Sequence, residues 1–269
     1  MMIDLRAARS ILFLPASNPR AIAKARGAGA DLVVLDLEDA VKPDDKLAAR
    51  QAAVEAVAEP WPMPVAIRVN GDGSRWYEDD VDAVAHSKAN LTVLPRATSA
   101  DVVRALNRQV RRPVLAMIET AAGVLAAPAI AHDAAALIAG TNDLSADLQL
   151  PPDAGRQSLQ MALQLIVLAG RAAGIAVFDG VFNGLDDPDG FAAQAGEGRR
   201  LGFDGKSLIH PDQIEPCHLA FAPTQAQIDR ARRLLDATTG GAERFEDQMI
   251  ERMHVEAAER LLARVPATR

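Results

Sequence analysis

Apolar runs of strand length recur along this chain, and each stops at a polar or charged residue. The first is Ser10-Ile-Leu-Phe-Leu-Pro15, followed by Ser17-Asn18-Pro19. A capping side chain and a proline suited to a first helical turn predict that a helix starts there. That helix carries Arg20 and Lys24, four apart and therefore on one face. Asp31-Leu-Val-Val-Leu-Asp36 is the next strand, ending in Asp36-Leu-Glu38-Asp39, and 46–57 is helical behind it. The same alternation continues with strands over 64–70, 91–96, 113–120, 134–143, 174–179 and 203–211. Helical patterns over 76–86, 101–110, from Ala121 onward, 157–173 and 188–201 separate them, with a longer insertion over 148–155. Strictly alternating strands and helices favour a parallel sheet with crossover helices.

Eight such units predict a closed (β/α)8 TIM barrel. A doubly wound open sheet is the alternative, but the glycine-rich dinucleotide fingerprint is missing after the first strand. Asp36, Glu38, Arg68, Arg96, Glu119, Asp143 and Asp179 all follow apolar runs, and in such barrels the strand C-termini form the active face. The barrel domain is expected over 1–222. Beyond it, helical stretches over 224–237 and 246–262 flank a breaker at 238–242, giving a helical arm or lid over 223–269.

The most informative stretch is Pro113-Val-Leu-Ala-Met-Ile-Glu119-Thr120, whose apolar run ends in a carboxylate. The next strand repeats the arrangement in Ala134-Ala-Ala-Leu-Ile-Ala-Gly-Thr-Asn142-Asp143. Parallel neighbours lie roughly 5 Å apart, so Glu119 and Asp143 converge if these strands are adjacent. Two carboxylates with room for waters suit Mg²⁺, a hard cation that leaves its remaining positions to water and substrate. Two unrelated strand-end acids would leave the same trace in the sequence.

A net charge of −7 argues against general binding to nucleic acid or anionic membrane, while leaving room for a local basic pocket. The single cysteine, Cys217, excludes an intrachain disulfide framework and reads as a small apolar filler. No basic segment followed by a long apolar run suggests a signal peptide. No uninterrupted apolar stretch reaches the about 18 residues of a membrane span. A cytoplasmic location is therefore expected.

Six motifs, taken in register, carry a resemblance. They are Ser10-Ile-Leu-Phe-Leu-Pro-Ala-Ser-Asn-Pro-Arg20, Leu35-Asp-Leu-Glu-Asp-Ala-Val41, Arg68-Val-Asn70, Met117-Ile-Glu-Thr120, Gly140-Thr-Asn-Asp-Leu-Ser-Ala-Asp-Leu148 and Gly205-Lys-Ser-Leu-Ile-His-Pro-Asp-Gln213. Together they resemble the citrate lyase beta-subunit-like branch of the HpcH/HpaI aldolases, which includes malyl-, citramalyl- and citryl-CoA lyases. The resemblance implies Mg²⁺ at Glu119 and Asp143, Arg68 on the reacting acyl group, and Asp36 and Glu38 orienting metal waters. It also implies a coenzyme A thioester as substrate, with Arg20 and Lys24 at basic positions of the coenzyme site. The family's Leu-Pro-Lys-x-Glu-Ser motif reads Leu94-Pro95-Arg96-Ala97-Thr98-Ser99 here, keeping the charge at Arg96 but losing the acid. Asn142 stands where many relatives carry an acid. Near the C-terminus, Met249-Ile-Glu251-Arg-Met-His254 replaces a Met-Ile-Asp context whose acid serves a neighbouring subunit. Glu251 is thus expected over an adjacent active site of a homo-oligomer, a trimer or hexamer, with His254 structural.

The implied activity is Mg²⁺-dependent cleavage of a 3-hydroxyacyl-CoA into an acyl-CoA and a 2-oxo acid, or the reverse Claisen-type condensation. A carrier-dependent citrate lyase beta subunit, a metal-dependent aldolase on free 2-oxo acids and a non-catalytic metabolite-binding barrel are the alternatives.

Overall fold

A computed structural model describes residues 3–238 and 241–265. The chain divides into two compact units, Met1–Ala220 and Phe221–Arg269. In the first, eight parallel strands close on themselves in sequence order, with β8 pairing back to β1. The strands are β1 (Ser10–Pro15), β2 (Leu32–Asp36), β3 (Val65–Arg68), β4 (Leu91–Leu94), β5 (Val114–Ile118), β6 (Ala136–Ala139), β7 (Ala176–Asp179) and β8 (Gly205–Leu208). The helices are α1 (Pro19–Ala25), α2 (Lys46–Ala58), α3 (Tyr77–His86), α4 (Ala100–Val110), α5 (Ala121–Asp133), α6 (Thr141–Asp147), α7 (Gln160–Ala173), α8 (Pro188–Leu201) and α9 (Ile214–Phe221). This is the (β/α)8 barrel the alternation predicted.

The strands other than β8, which reads Gly-Lys-Ser-Leu, are mostly apolar because both faces are covered, one by the barrel interior and one by helices. Alternate residues fill the interior: Ile11, Leu32 and Val34, Ala66, Leu91 and Val93, Leu115 and Met117, Ala136 and Ile138, and Ala176 and Phe178 form one buried cluster. Continuing that period of two brings Asp36, Arg68 and Glu119 to the same inward face at the C-terminal ends. Helix starts are fixed locally. Asn18 Oδ1 accepts the Ala21 N–H at 3.1 Å and Thr120 Oγ1 accepts the Gly123 N–H at 3.0 Å. The Thr120 cap starts α5 one residue after Glu119, so the chain turns abruptly at that carboxylate.

Two sequence expectations are corrected in this unit. Asp143 does not end a strand: β6 stops at Ala139, and Asp143 lies in the first turn of the short helix α6. Asp179 does end β7, but it does not join the active face. Its carboxylate accepts from Lys206 at 3.0 Å and Arg156 at 2.7 Å, and its Oδ2 lies so close to Gly198 of α8 that a Cβ there would collide with it. It therefore points outward, pairing buried charges between strand and helix.

The second unit contains α10 (Gln225–Ala237), a hairpin of β9 (Glu243–Phe245) and β10 (Gln248–Ile250), and α11 (Arg252–Ala263). The first residues of the helix expected over 246–262 thus belong to a hairpin, and the helix itself starts at Arg252. Glu246 adopts a left-handed φ of 54° and pairs with Arg230 and Arg233, both at 3.1 Å. A positive φ in a two-residue loop matches the twist of the flanking strands, and it breaks any helix at that point. Phe245 and Ile250 then join Ala231, Leu234 and Ala258 in a small separate core. The breaker at 238–242 lies partly outside the described residues. Among the described residues no helix is long and apolar enough to cross a membrane.

Candidate active site

The inward residues at the strand C-termini line a cavity of about 380 Å³, shared by Phe13, Asp36, Arg68, Met117, Glu119 and Asp143 among others. Arg68 is only 8% exposed. The strand register sets Asp36 directly beside it, and its Nε and Nη2 donate to the two Asp36 oxygens at 2.6 and 2.7 Å. Asp36 also accepts backbone N–H groups from Glu38 and Ala40, which fixes its orientation. The planar fork is therefore spent on a protein carboxylate, and the remaining nitrogen, Nη1, meets Glu38 at 2.8 Å and Met117 Sδ at 3.6 Å. The Phe13 ring lies 5.4 Å from the guanidinium carbon.

The loop that carries Glu38 is itself held from behind. Lys46 Nζ donates to the carbonyls of Leu37 and Glu38, both at 2.7 Å, and to Asn70 Oδ1 at 2.6 Å.

Glu119 is 1% exposed, and its Oε1 accepts the Arg96 N–H at 2.6 Å. Arg96 presents that N–H from a left-handed φ of 47°, unusual for a residue with a side chain and found where surroundings over-determine the backbone. Its side chain reaches Asp143 Oδ1 at 3.4 Å. Arg96 thus touches both acids, Glu119 through its backbone and Asp143 through its side chain. Gly140 is required beside Glu119: a Cβ there would collide with Oε2.

Burial pushes Glu119 up to about 7, with Asp143 and Asp39 adding repulsion against the pull of the Arg96 N–H and Arg68. Burial likewise pushes Glu38 up to about 8 against the pull of Arg68, with Asp39, Glu119 and Asp36 adding repulsion. The cavity is an oxygen-rich negative pocket whose carboxylates lack sufficient positive charge. Among the described residues no three His, Cys, Asp or Glu side chains gather on one metal position. Glu119 and Asp143 both line the cavity, and two carboxylates are an oxygen donor set that could hold a Mg²⁺ whose other positions go to water or substrate.

A second cavity of about 730 Å³ runs beside α1 and is lined by Arg20, Lys24, Asn18 and His210. It shares Phe13, Leu14, Pro15 and Ile209 with the first, so a basic groove abuts the acidic pocket. Glu251 and His254 lie in the second unit, where His254 Nδ1 accepts the Glu251 N–H at 3.0 Å at the start of α11. Glu251 itself is exposed.

Sequence reasoning missed Asp39, Phe13, Gly140 and Ser207 as lining residues. Period-two alternation from Lys206, which faces α8, would have found Ser207. Nothing in the sequence marks Phe13 or Gly140 apart from other apolar and turn residues.

The closed parallel barrel, with paired carboxylates and a charged arginine at its C-terminal mouth and a basic groove alongside, defines a barrel enzyme built for a cation and an anionic substrate. A family model for HpcH/HpaI aldolase/citrate lyase matches residues 9–211. The chain belongs to that family. A (3S)-malyl-CoA thioesterase from Cereibacter sphaeroides is 40% identical over 273 residues, covering 96% of this chain and 95% of the relative. The citrate lyase beta subunit from Leuconostoc mesenteroides is 32% identical, covering 97% and 94%. The crystal structure of CitE from Mycobacterium tuberculosis with magnesium, acetoacetate and coenzyme A superposes with a TM-score of 0.86 at 34% identity, covering 97% of this chain and 99% of that one.

Proposed function

We propose that this protein is a Mg²⁺-dependent carbon–carbon lyase that splits a 3-hydroxyacyl-CoA, of the malyl-, citramalyl- or citryl-CoA class, into an acyl-CoA and a 2-oxo acid. The observation that carries it is the acidic pocket of Glu119, Asp143 and Arg68 opening beside the basic groove of Arg20 and Lys24. That groove weighs against an aldolase acting on free acids alone.

Glu119 and Asp143 would hold the metal, which supplies Lewis acidity to the substrate hydroxyl and carboxylate. In the cleavage direction the hydroxyl gives its proton to a carboxylate or water at the mouth, its oxygen becomes the carbonyl of the 2-oxo acid as the α–β carbon bond breaks, and the electron pair of that bond passes into the thioester enolate. Arg68 is clamped to Asp36 through Nε and Nη2, so Nη1, which holds Glu38 and touches Met117 Sδ, would exchange its weak sulfur contact for the developing enolate oxygen. A charge-assisted contact of that kind strengthens as negative charge appears. Asp36 and Glu38 set its position, with Lys46 holding the Glu38 loop. Glu251 of a neighbouring copy would return a proton to the enolate carbon, with residues 223–269 acting as the arm that delivers it.

An assembly of several copies, a trimer or hexamer, belongs to this reading. Helices α5 and α7 pack side by side, and their outward faces expose Leu125, Met161 and Leu168. Cytoplasmic location follows from the substrate class, since CoA thioesters are used inside the cell.

The 40% identity to a malyl-CoA thioesterase favours a second reading, hydrolysis of the thioester to free CoA and a hydroxy acid. A screen of purified protein with Mg²⁺ against malyl-, citramalyl-, citryl- and methylmalyl-CoA separates the two. Release of 2-oxo acid without free thiol supports the lyase, free thiol without 2-oxo acid supports the thioesterase, and neither product from any ester sinks both.

A further inference from the structure

Ser207 stands apart among the residues of the mouth cavity. It lies on β8 between Lys206, which reaches outward to Asp179 and Gln194, and Leu208. It lines the cavity with Phe13, Arg68 and Glu119. It is 2% exposed, and its hydroxyl has no hydrogen-bond partner among the described residues. A buried hydroxyl without a partner is a cost that native structures avoid unless something else pairs with it.

The position says what that partner would be. Of the polar groups, Asp36 and Arg68 end β2 and β3, Glu119 directly follows β5, and Asp143 lies in α6. The wall from β8 and β1 is otherwise apolar, made of Phe13, Leu14, Pro15 and Ile209. Those same four residues also line the Arg20–Lys24 groove. An acyl chain arriving from that groove crosses this wall to reach the acids, and Ser207 is two residues from Ile209 on it. The thioester end therefore meets the one hydroxyl there, whereas the hydroxy- or oxo-acid end meets the metal pair.

Resting on the acyl-CoA reading above, we propose that Ser207 is a substrate-contacting residue whose hydroxyl donates a hydrogen bond to the carbonyl oxygen of the bound thioester. It selects the acyl form of the coenzyme over the free thiol. It also shares with Arg68 the negative charge that appears on that oxygen.

The test compares wild-type protein with Ser207→Ala, both with Mg²⁺, by calorimetric titration with acetyl-CoA and with free CoA. Thermal unfolding is measured alongside without ligand. Loss of one such hydrogen bond weakens binding by about 10-fold. The expected result is acetyl-CoA bound about 10-fold more weakly, free CoA bound equally, and a Tm unchanged or raised because an unsatisfied hydroxyl has gone. Equal acetyl-CoA affinity in the two proteins overturns the inference. A lowered Tm, or failure to fold, assigns the hydroxyl to the fold and overturns it too. Wild-type protein that binds neither ligand refutes the acyl-CoA reading itself, and the role of Ser207 with it.

Discussion

At the scale of the residue, the pocket is an array of charges held under strain. Glu119 sits near 7 and Glu38 near 8 because burial and neighbouring carboxylates disfavour their ionised forms. Both lie above their ordinary values near 4.5, so the folded, metal-free protein holds these protons more tightly than the unfolded chain. Their contribution to stability is complete below about 4.5 and fades as pH rises through 7 to 8. Mg²⁺ needs Glu119 deprotonated, so its affinity should fall about tenfold per pH unit below 7 and level off above. Titration calorimetry at pH 6, 7 and 8 checks this; a flat profile would detach Glu119 from the metal. Added Mg²⁺ should also raise Tm more at pH 8 than at pH 6. Arg68→Lys loses the fork that clasps Asp36, so turnover should drop by roughly 10² while Mg²⁺ binding holds. Near wild-type turnover would make Arg68 a purely structural partner of Asp36.

Among the elements, legibility followed periodicity. The barrel strands were visible because a strand covered on both faces writes a largely apolar run, and a proline or charged residue marked where most of the runs stop. Side-chain direction was not visible where it depends on a partner far along the chain. Asp179 reads like Glu119 in sequence, yet it follows inward-facing Phe178 and so falls on the outer face of β7, where Lys206 and Arg156 pair with it. The 246–262 stretch reads as helix by composition, but its first residues pair as a hairpin against α10. The positive φ at Arg96 was equally hidden, since no residue type announces it. These details give their own tests. Gly140→Ala should fold yet displace Glu119, weakening Mg²⁺ binding; unchanged binding would mean that the β6–α6 turn tolerates a side chain. Leu168→Arg on the apolar face of α7 should leave the barrel folded and reduce the assembly to a smaller species by light scattering. The same mass as wild type would place the interface elsewhere.

For the molecule as a whole, the proposed metal ligands Glu119 and Asp143 and the basic groove of Arg20 and Lys24 belong to one unit, while Glu251 belongs to another. Mixing Glu251→Gln with Glu119→Gln under subunit exchange should restore part of the activity that each lacks alone. No recovery despite exchange would confine Glu251 to its own chain or to no chemistry. Underneath this lies the claim that the Glu119–Asp143 pair, through Mg²⁺, drives cleavage of a CoA ester between its α and β carbons. The measurement closest to it follows 2-oxo acid release from (3S)-malyl-CoA as Mg²⁺ is titrated into metal-stripped wild type, Glu119→Gln and Asp143→Asn. The account predicts saturable, Mg²⁺-dependent release of glyoxylate in wild type and near-complete loss in both variants, each still folded and unfolding cooperatively. Release that is indifferent to Mg²⁺, or that survives in either variant, would contradict it.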